Sequence, residues 1–267
     1  SGDYAVISNI SLSSVIALTN KDFGFKAVRT ISGRIWEDSD GDGALETGEN
    51  RFSSILVGVY QNGDTICTAP VLDVQGNPLT TTTDSSGNYS FSGIPSGTYK
   101  VVAEMPDGYM VTKLANDNDA VAFGLRAAVN NIDLSTSNSI ETIDFGYIEN
   151  RTISGRVWVD SDVDGTIDAG EGLLTGTVFV RLYNAADLTL ANDVFGYVLA
   201  RIVSATGTYT FTGVPAGEYY AAIITPTGYA VTVHENDNDA VAAINGRSAV
   251  GVLDVTTERN LVDKDFG

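Results

Sequence analysis

The sequence predicts an all-β chain organised as tandem β-sandwich domains. Runs of Val, Ile, Tyr and Thr, alternating or continuous, are separated by Gly, Asp, Asn and Pro, and no stretch sustains a helical period. The chain also repeats itself along its length with a period of about 120 residues, the size of a domain and too long for a solenoid unit. Seven or so short strands fall in each repeat, which suits a two-sheet sandwich.

Residues 1–28 read as a partial copy, the last two strands of a preceding repeat. Ile10-Ser-Leu-Ser13 lines up with Ile132-Asp-Leu-Ser135, and Asp22-Phe-Gly24 with Asp144-Phe-Gly146 and Asp265-Phe-Gly267. Two strands alone are marginal in water, with both edges unpaired. They are either a truncated repeat or a hairpin donated to another subunit, completing a sheet there. Both later repeats carry their own Asp-Phe-Gly strand and leave no obvious vacancy, which favours truncation.

Residues 29–148 form the first full domain and 149–267 the second. In the first, strands are expected near 30–36, 54–60, 64–68, 79–83, 88–91, 98–104, 126–134 and 140–147. In the second they are expected near 152–158, 177–183, 196–204, 208–211, 218–225, 248–255 and 260–266. Turn chemistry supports these limits at Asp84-Ser-Ser-Gly87, Pro95-Ser-Gly97 and Pro106-Asp-Gly108. Tyr99 and Tyr219 each follow a Pro-X-Gly-X turn and are either corner pins bonded back to the backbone or plain core aromatics. Only Ile148-Glu-Asn-Arg151 separates the two repeats, too short a link for free bending.

Each repeat carries an acidic loop directly after its first strand. Asp38-Ser-Asp-Gly-Asp-Gly-Ala-Leu-Glu-Thr-Gly-Glu49 returns as Asp160-Ser-Asp-Val-Asp-Gly-Thr-Ile-Asp-Ala-Gly-Glu171. Carboxylates stand at positions 1, 3 and 5 (Asp38, Asp40, Asp42; Asp160, Asp162, Asp164), and Gly43 or Gly165 at position 6 permits a sharp turn. Position 7 (Ala44, Thr166) would lend a carbonyl. Position 9 (Glu46, Asp168) would add a carboxylate, directly or through water, and position 12 (Glu49, Glu171) a bidentate one. This is the ligand spacing of a twelve-residue Ca2+ loop, because a hard cation takes six to eight oxygens and the chain must wrap around it. The plain alternative is a solvated acidic turn. Two full matches at equivalent places in a repeat favour the cation loop.

The 267 residues carry a formal net charge of −19, and 43% are hydrophobic. The chain is therefore no disordered acidic tail, and so negative a surface argues against nucleic acid or anionic membrane as a partner. Apolar runs are short and interrupted, so no transmembrane span is expected, and residues 1–25 lack a signal peptide's basic start and apolar core. The chain reads as an internal or processed piece. Cys67 is the only cysteine, so an intramolecular disulfide is impossible. The loops point instead to an extracellular setting, where calcium is abundant enough to fill weak sites.

The order Gly-Arg-Ile-Trp36, acidic loop, Gly87-Asn-Tyr-Ser-Phe91, Ile94-Pro-Ser-Gly-Thr-Tyr99, Pro106-Asp-Gly-Tyr109 and closing Asp144-Phe-Gly146 resembles the calcium-binding B-repeat (SdrD B-like) domains of serine-aspartate repeat surface adhesins. These are similar in turn to Cna-type B domains, and the resemblance implies an immunoglobulin-like, transthyretin-like sandwich. It covers residues 30–147 and 152–267 and implies a bacterial cell-surface stalk in which calcium stiffens serially linked domains. The runs Asn116-Asp-Asn-Asp119 and Asn236-Asp-Asn-Asp239 sit where relatives carry a second acidic cluster. Asn116, Asp117, Asp119, Asn236, Asp237 and Asp239 are therefore candidate ligands of a second cation, a polar turn being the alternative. Some Cna-type domains hold a Lys-Asn isopeptide bond. Here Arg34, Arg156, Asp144 and Asp265 stand at the relevant strands, so none is expected.

Enzymatic readings are weak. His234 is the only histidine, and there is no phosphate-binding glycine loop with Lys, no nucleophile elbow and no Cys/His cluster. The paired carboxylates sit where calcium needs them. Two readings stand out: a calcium-rigidified stalk, filament or surface-layer unit, whose partners are neighbouring repeats or other subunits, and an adhesin that binds a host or matrix ligand. For the latter, the loops Ala69–Asn77 and Asn184–Asn192 are the candidate surfaces. Accessory modules of a secreted enzyme remain a third.

Overall fold

The computed structural model describes residues 8, 28–174, 178–232, 236–244 and 247–267. Apart from Ser8 and Val28, the opening segment lies outside the described residues, as does His234. Every regular element among the described residues is a strand, and no helix is long and apolar enough to cross a membrane.

The first repeat holds ten strands: β1 (Arg29–Glu37), β2 (Leu56–Gln61), β3 (Thr80–Thr82), β4 (Asn88–Ile94), β5 (Thr98–Glu104), β6 (Tyr109–Val111), β7 (Val121–Phe123), β8 (Arg126–Asp133), β9 (Ser139–Ile140) and β10 (Phe145–Glu149). They form two sheets, one ordered β4-β1-β10-β6 with β9 also on β1, the other β3-β2-β5-β8-β7. Period-2 patterning sets the faces. In β4, Tyr89 and Phe91 turn inward while Asn88, Ser90 and Ser92 face water. The inner faces close over Ile31, Ile35, Val57, Val59, Phe91, Val101, Ala127 and Phe145, all buried. Each large apolar side chain so buried contributes roughly 1.5–3 kcal/mol.

The described residues of the second repeat hold eight: β11 (Thr152–Arg156), β12 (Phe179–Asn184), β13 (Ala200–Ile202), β14 (Thr208–Phe211), β15 (Glu218–Ile223), β16 (Ala240–Ile244), β17 (Arg247–Asp254) and β18 (Asn260–Leu261). Its sheets run β14-β11-β18 and β13-β12-β15-β17-β16. The same core positions recur, with Ile153, Val180, Phe211, Ala221, Val250 and Phe266 buried.

One feature of β1 orders the whole domain. β9 and β10 lie along the same edge of β1, parallel to it at Thr30–Ile31 and Ile35–Glu37, and between them the chain bulges across Gly33. A Cβ there would stand 1.8 Å from the Ile143 carbonyl oxygen; in the second repeat one on Gly155 would stand 2.1 Å from that of Lys264. Glycine is required at both positions. The bulge delivers Asp144 and Asp265, whose Oδ1 atoms each accept the next N–H of β1 or β11, from Arg34 and Arg156, at 2.6 Å.

The corner reading of the two tyrosines is the one observed. Tyr99 donates its hydroxyl to the Pro95 carbonyl at 2.9 Å and Tyr219 to that of Pro215 at 3.0 Å. Other expectations are corrected. No strand forms at 64–68, because the Asp64 carboxylate accepts the N–H groups of Ile66 (2.9 Å) and Cys67 (2.8 Å) and turns the chain, leaving Cys67 at φ +54°. The short strands β6, β7 and β16 were not expected: β6 draws its pairing from distant β10, while β7 and β16 are the short outer arms of tight hairpins with β8 and β17. The run expected at 140–147 is interrupted by the bulge. The link between repeats is shorter still than expected, because β10 runs to Glu149 and β11 begins at Thr152.

Candidate metal centre

As β1 ends, the chain turns inward at Asp38, which is fully buried. Its carboxylate nucleates the loop: Oδ1 accepts the Gly41 N–H at 2.8 Å, and Oδ2 accepts the Gly43 N–H at 2.9 Å and the Thr112 hydroxyl in a short bond. Asp40 Oδ1 accepts the Asp42 N–H (3.3 Å) and Asp42 Oδ1 that of Ala44 (2.6 Å). Glu49 closes the ring, its Oε1 accepting from Ser39 at 2.8 Å and its Oε2 from Glu46 at 3.1 Å. Gly43 is forced twice over, by φ +82° and by the Ala115 carbonyl oxygen 2.6 Å from where a Cβ would sit.

These bonds gather the carboxylates. Asp38, Asp40 and Glu49 bring one oxygen each within 4.8 Å of one another, and so do Asp40, Asp42 and Glu46. The second repeat repeats both groups, Asp160, Asp162 and Glu171, then Asp162, Asp164 and Asp168. Asp160 is held as Asp38 is, by N–H groups of Val163 (2.8 Å) and Gly165 (3.1 Å). Among the described residues no ion pair reaches a loop carboxylate. Arg51, the basic residue at the first loop's edge, spends its guanidinium on the carbonyls of Glu49 and Asn50 instead.

The electrostatics follow. Loss of hydration, then the charges of Asp42, Glu49, Asp40 and Asp38, push the Glu46 carboxyl above its ordinary range. Asp162 is raised in the same way, by desolvation and then by Asp164. Desolvation also acts upward on Asp160, but the Thr232 hydroxyl and the N–H groups of Gly165, Val163 and Asp164 outweigh it and hold this carboxyl low. The set consists of hard oxygen donors, uncompensated and oriented by backbone, and it fits a hard divalent cation. Asp38, Asp40, Asp42, Glu46 and Glu49 would hold it in one repeat and Asp160, Asp162, Asp164, Asp168 and Glu171 in the other, with the carbonyls of Ala44 and Thr166 at position 7.

The Asn-Asp-Asn-Asp runs are placed differently. They join none of the carboxylate groups; they fasten the loop to the sheet. Asn116 Nδ2 donates to the Asp42 carbonyl (2.9 Å), Asp117 Oδ2 accepts the Leu45 N–H (2.9 Å), and the N–H groups of Asp117 and Asn118 both reach the Gly43 carbonyl. Asn118, 2% exposed, accepts from Gly146 N–H at 2.9 Å, and Asp119 accepts from Asp144 N–H at 2.9 Å. The second repeat copies this, Asn236 to Asp164 O (2.9 Å), Asp237 from Ile167 N–H (3.0 Å), Asn238 from Gly267 N–H (3.1 Å) and Asp239 from Asp265 N–H (2.9 Å). Sequence reasoning did not single out Asn118, Asn238, Thr112 or Thr232 as separate parts. Its one available signal was that Asn-Asp-Asn-Asp-Ala-Val-Ala recurs unchanged.

The last strands differ between repeats. Asp265 takes the Arg156 guanidinium through Nε (3.1 Å) and Nη2 (2.8 Å), whereas among the described residues the Asp144 carboxylate accepts the Arg34 backbone N–H alone. Burial pushes the Asp144 carboxyl up to about 6.

A tandem of two sandwiches, each with an acidic cation-type loop at the end of its first strand and an asparagine strut beneath it, defines a class of serial β-repeat modules. Within that class, the chain belongs to the SdrD B-like domain family, whose model matches residues 29–147 and again 151–267. It is 29% identical over 223 residues to serine-aspartate repeat-containing protein F of Staphylococcus epidermidis, an alignment covering 82% of this chain and 11% of that protein. It is 28% identical over 221 residues to serine-aspartate repeat-containing protein D of Staphylococcus aureus strain Newman, covering 82% and 15% respectively. The chain thus spans about a tenth to a seventh of these relatives. Among solved structures it is similar to a streptococcal ancillary pilin, at 16% identity and a TM-score of 0.30, over 90% of this chain and 63% of that one.

Proposed function

We propose that this chain is a non-enzymatic, extracellular repeat segment of a bacterial surface protein, a calcium-stiffened stalk or filament unit. The observation that carries the reading is the pair of loops, each bringing five carboxylates together with no basic partner at the end of a domain's first strand. Calcium bound there would relieve the repulsion and lock β1, the asparagine strut and the exit of the last strand into one body. A cation bound only by the folded form adds stability as the logarithm of its concentration over its dissociation constant. Calcium is favoured over magnesium because a wrapped loop of carboxylates and carbonyls supplies six to eight adaptable ligands.

The test is thermal unfolding in EGTA, in millimolar calcium and in millimolar magnesium. A calcium-specific rise in Tm is expected, falling by about half in Glu49→Ala or Glu171→Ala and vanishing in the double variant. No rise in calcium would end the reading. A second reading, ligand binding, is favoured by the segment after β12, which exposes Leu188, Leu190, Phe195, Tyr197 and Val198, with Tyr197 73% accessible. Retention on immobilised matrix proteins or glycans, lost in Tyr197→Ala, would support it.

A further inference from the structure

We propose that the outer face of the second repeat's larger sheet, at the groove that holds Arg181 and Arg247, docks an extended acidic and apolar peptide of a partner protein. This rests on the ligand-binding reading and gives it a surface and a ligand class. The template lies in the first repeat, which lays a segment of its own chain over the same face. There Tyr60, Val102 and Ala128 point outward from β2, β5 and β8, and the loop Asp64-Thr-Ile-Cys67 covers them. Cys67, 4% exposed, packs with Val102 and Ala128 and against Tyr60 and Phe123. Two cations fasten this loop by its main chain. Arg126 donates to the carbonyls of Ile66 (2.7 Å) and Cys67 (3.2 Å), and Lys100 Nζ to that of Asp64 (2.8 Å). Bonds from the Cys67 and Ile66 N–H groups, with the charges of Lys100 and Arg126, outweigh loss of hydration and hold the Asp64 carboxyl low. An acidic and apolar stretch is thus what this face of the fold accepts.

The second repeat keeps the floor and drops the cover. Ala222 lies opposite Ala249 as Val102 lies opposite Ala128, and Tyr183, Ala222 and Ala249 form the matching cluster. Arg247 opens β17 as Arg126 opens β8, with its guanidinium 5.6 Å from the Tyr183 ring centroid. The two loops hang on equivalent anchors, Val71 N–H on Val59 O (2.8 Å) and Ala191 N–H on Leu182 O (3.0 Å), but the second is three residues shorter. It closes on itself, Leu188 N–H bonding the Asn184 carbonyl at 2.9 Å. Leu188 shares the left-handed backbone of Cys67, φ +58° against +54°, yet it is 37% exposed where Cys67 is buried.

The chemistry of the face changes with the loss of cover, which is an independent observation. In the first repeat Leu56 is opposite Thr82 and Gly58 opposite Thr80; in the second, Phe179 is opposite Ile202 and Arg181 opposite Ala200. Ile224 stands where the first repeat has Glu104. Phe179 is 43% exposed and Ile202 and Ile224 are each 59% exposed, so three large apolar side chains gather on one outward face. Apolar surface gathered in this way marks an interaction site, whereas single exposed residues do not.

Between them runs a groove of about 330 Å³, with Ala222 as its floor and Phe179, Arg181, Ile224, Pro226 and Arg247 along its walls. The two arginines are its only charged residues, in a chain with 15 basic and 34 acidic side chains. Arg181 lies 6.0 Å from the Phe179 ring centroid, and among the described residues no carboxylate pairs with it. Charge complementarity therefore selects an acidic occupant, its carboxylate on the Arg181 fork and its main-chain carbonyls towards Arg247, as Ile66 and Cys67 serve Arg126. Small apolar side chains beside that carboxylate cover Phe179 and Ile224.

The probe is a synthetic peptide of residues 62–70 carrying Cys67→Ala, the segment that the fold itself lays on such a face. Titrated into the isotope-labelled 267-residue protein, it should produce saturable amide shifts at Phe179, Arg181, Ala222 and Ile224. None are expected at Val102 and Ala128, which the first repeat's own loop covers. Affinity should fall about tenfold or more in Arg181→Glu, in Ile224→Asp, and when the peptide carries Asp64→Lys. Both protein variants change outward-facing side chains and should keep the melting profile, which separates lost binding from lost folding. Tyr197→Ala should leave the affinity unchanged. An absence of shifts on this face up to millimolar peptide, or shifts indifferent to Arg181→Glu and to the peptide's charge, would overturn the proposal. So would retention on matrix proteins that Tyr197→Ala abolishes and Arg181→Glu does not, an outcome that leaves the ligand-binding reading standing.

Discussion

Asp144 and Asp265 stand at the same place in two copies of one fold, and only the side chain opposite differs in what it does. Burial raises Asp144 to about 6. A carboxyl near 3.8 in the unfolded chain and about 6 in the folded one keeps its proton longer when folded, so its contribution is full below about pH 3.8 and is lost as pH climbs through 6. Asp144→Asn retains an oxygen for the Arg34 N–H and removes the charge. In EGTA the variant should therefore be the more stable protein at pH 8, with the difference closing towards pH 4, as urea unfolding at the two pH values would read. The tyrosine corners make a second residue-scale prediction. Tyr99→Phe or Tyr219→Phe removes one hydroxyl bond at an otherwise unchanged core position and should cost about 1 kcal/mol in chemical denaturation.

At the scale of elements, the loop and the asparagine run act as a pair. Asp117 and Asp237 touch no carboxylate group, yet each holds an N–H of the opposite loop, Leu45 at 2.9 Å and Ile167 at 3.0 Å. Outer groups that orient ligands typically govern affinity by a factor of ten or more. Asp117→Ala should then weaken calcium binding at the first loop about tenfold in calorimetric titration, with the number of ions bound unchanged. A lost ion instead would make Asp117 a ligand. The twelve-residue loop was legible because its spacing is local chemistry. The strut was legible only as a repeated motif, because its partners lie about 70 residues away and the bonds run to backbone, which leaves no side-chain signature.

At the scale of the molecule, the two repeats meet through a joint only two residues long, Asn150 and Arg151. Glu149, 17% exposed in its side chain, pairs with Arg151 and with Arg259, and the Arg259 guanidinium lies 5.1 Å from the Tyr109 ring centroid. One carboxylate therefore ties the end of the first repeat to a turn of the second. Glu149→Ala should broaden the distance distribution between spin labels placed on the two repeats while leaving each repeat's melting temperature within a few degrees. An unchanged distribution would assign the stiffness to the short link alone.

What the sequence determined by itself was everything written in local periodicity or in repetition: strands with two-residue alternation, the acidic loops, the tyrosine corners as one of two readings, and the doubling of the domain. Tertiary structure decided what depends on residues far apart. It gave β6 its partner in β10 and set glycine at 33 and 155 under a crossing carbonyl. It also showed the Asn-Asp-Asn-Asp runs bonded to the acidic loops from about 70 residues away. The physical reason is the same in each case. A hydrogen bond or a steric contact between residues tens of positions apart leaves no pattern in either stretch, and only the folded chain brings the two together.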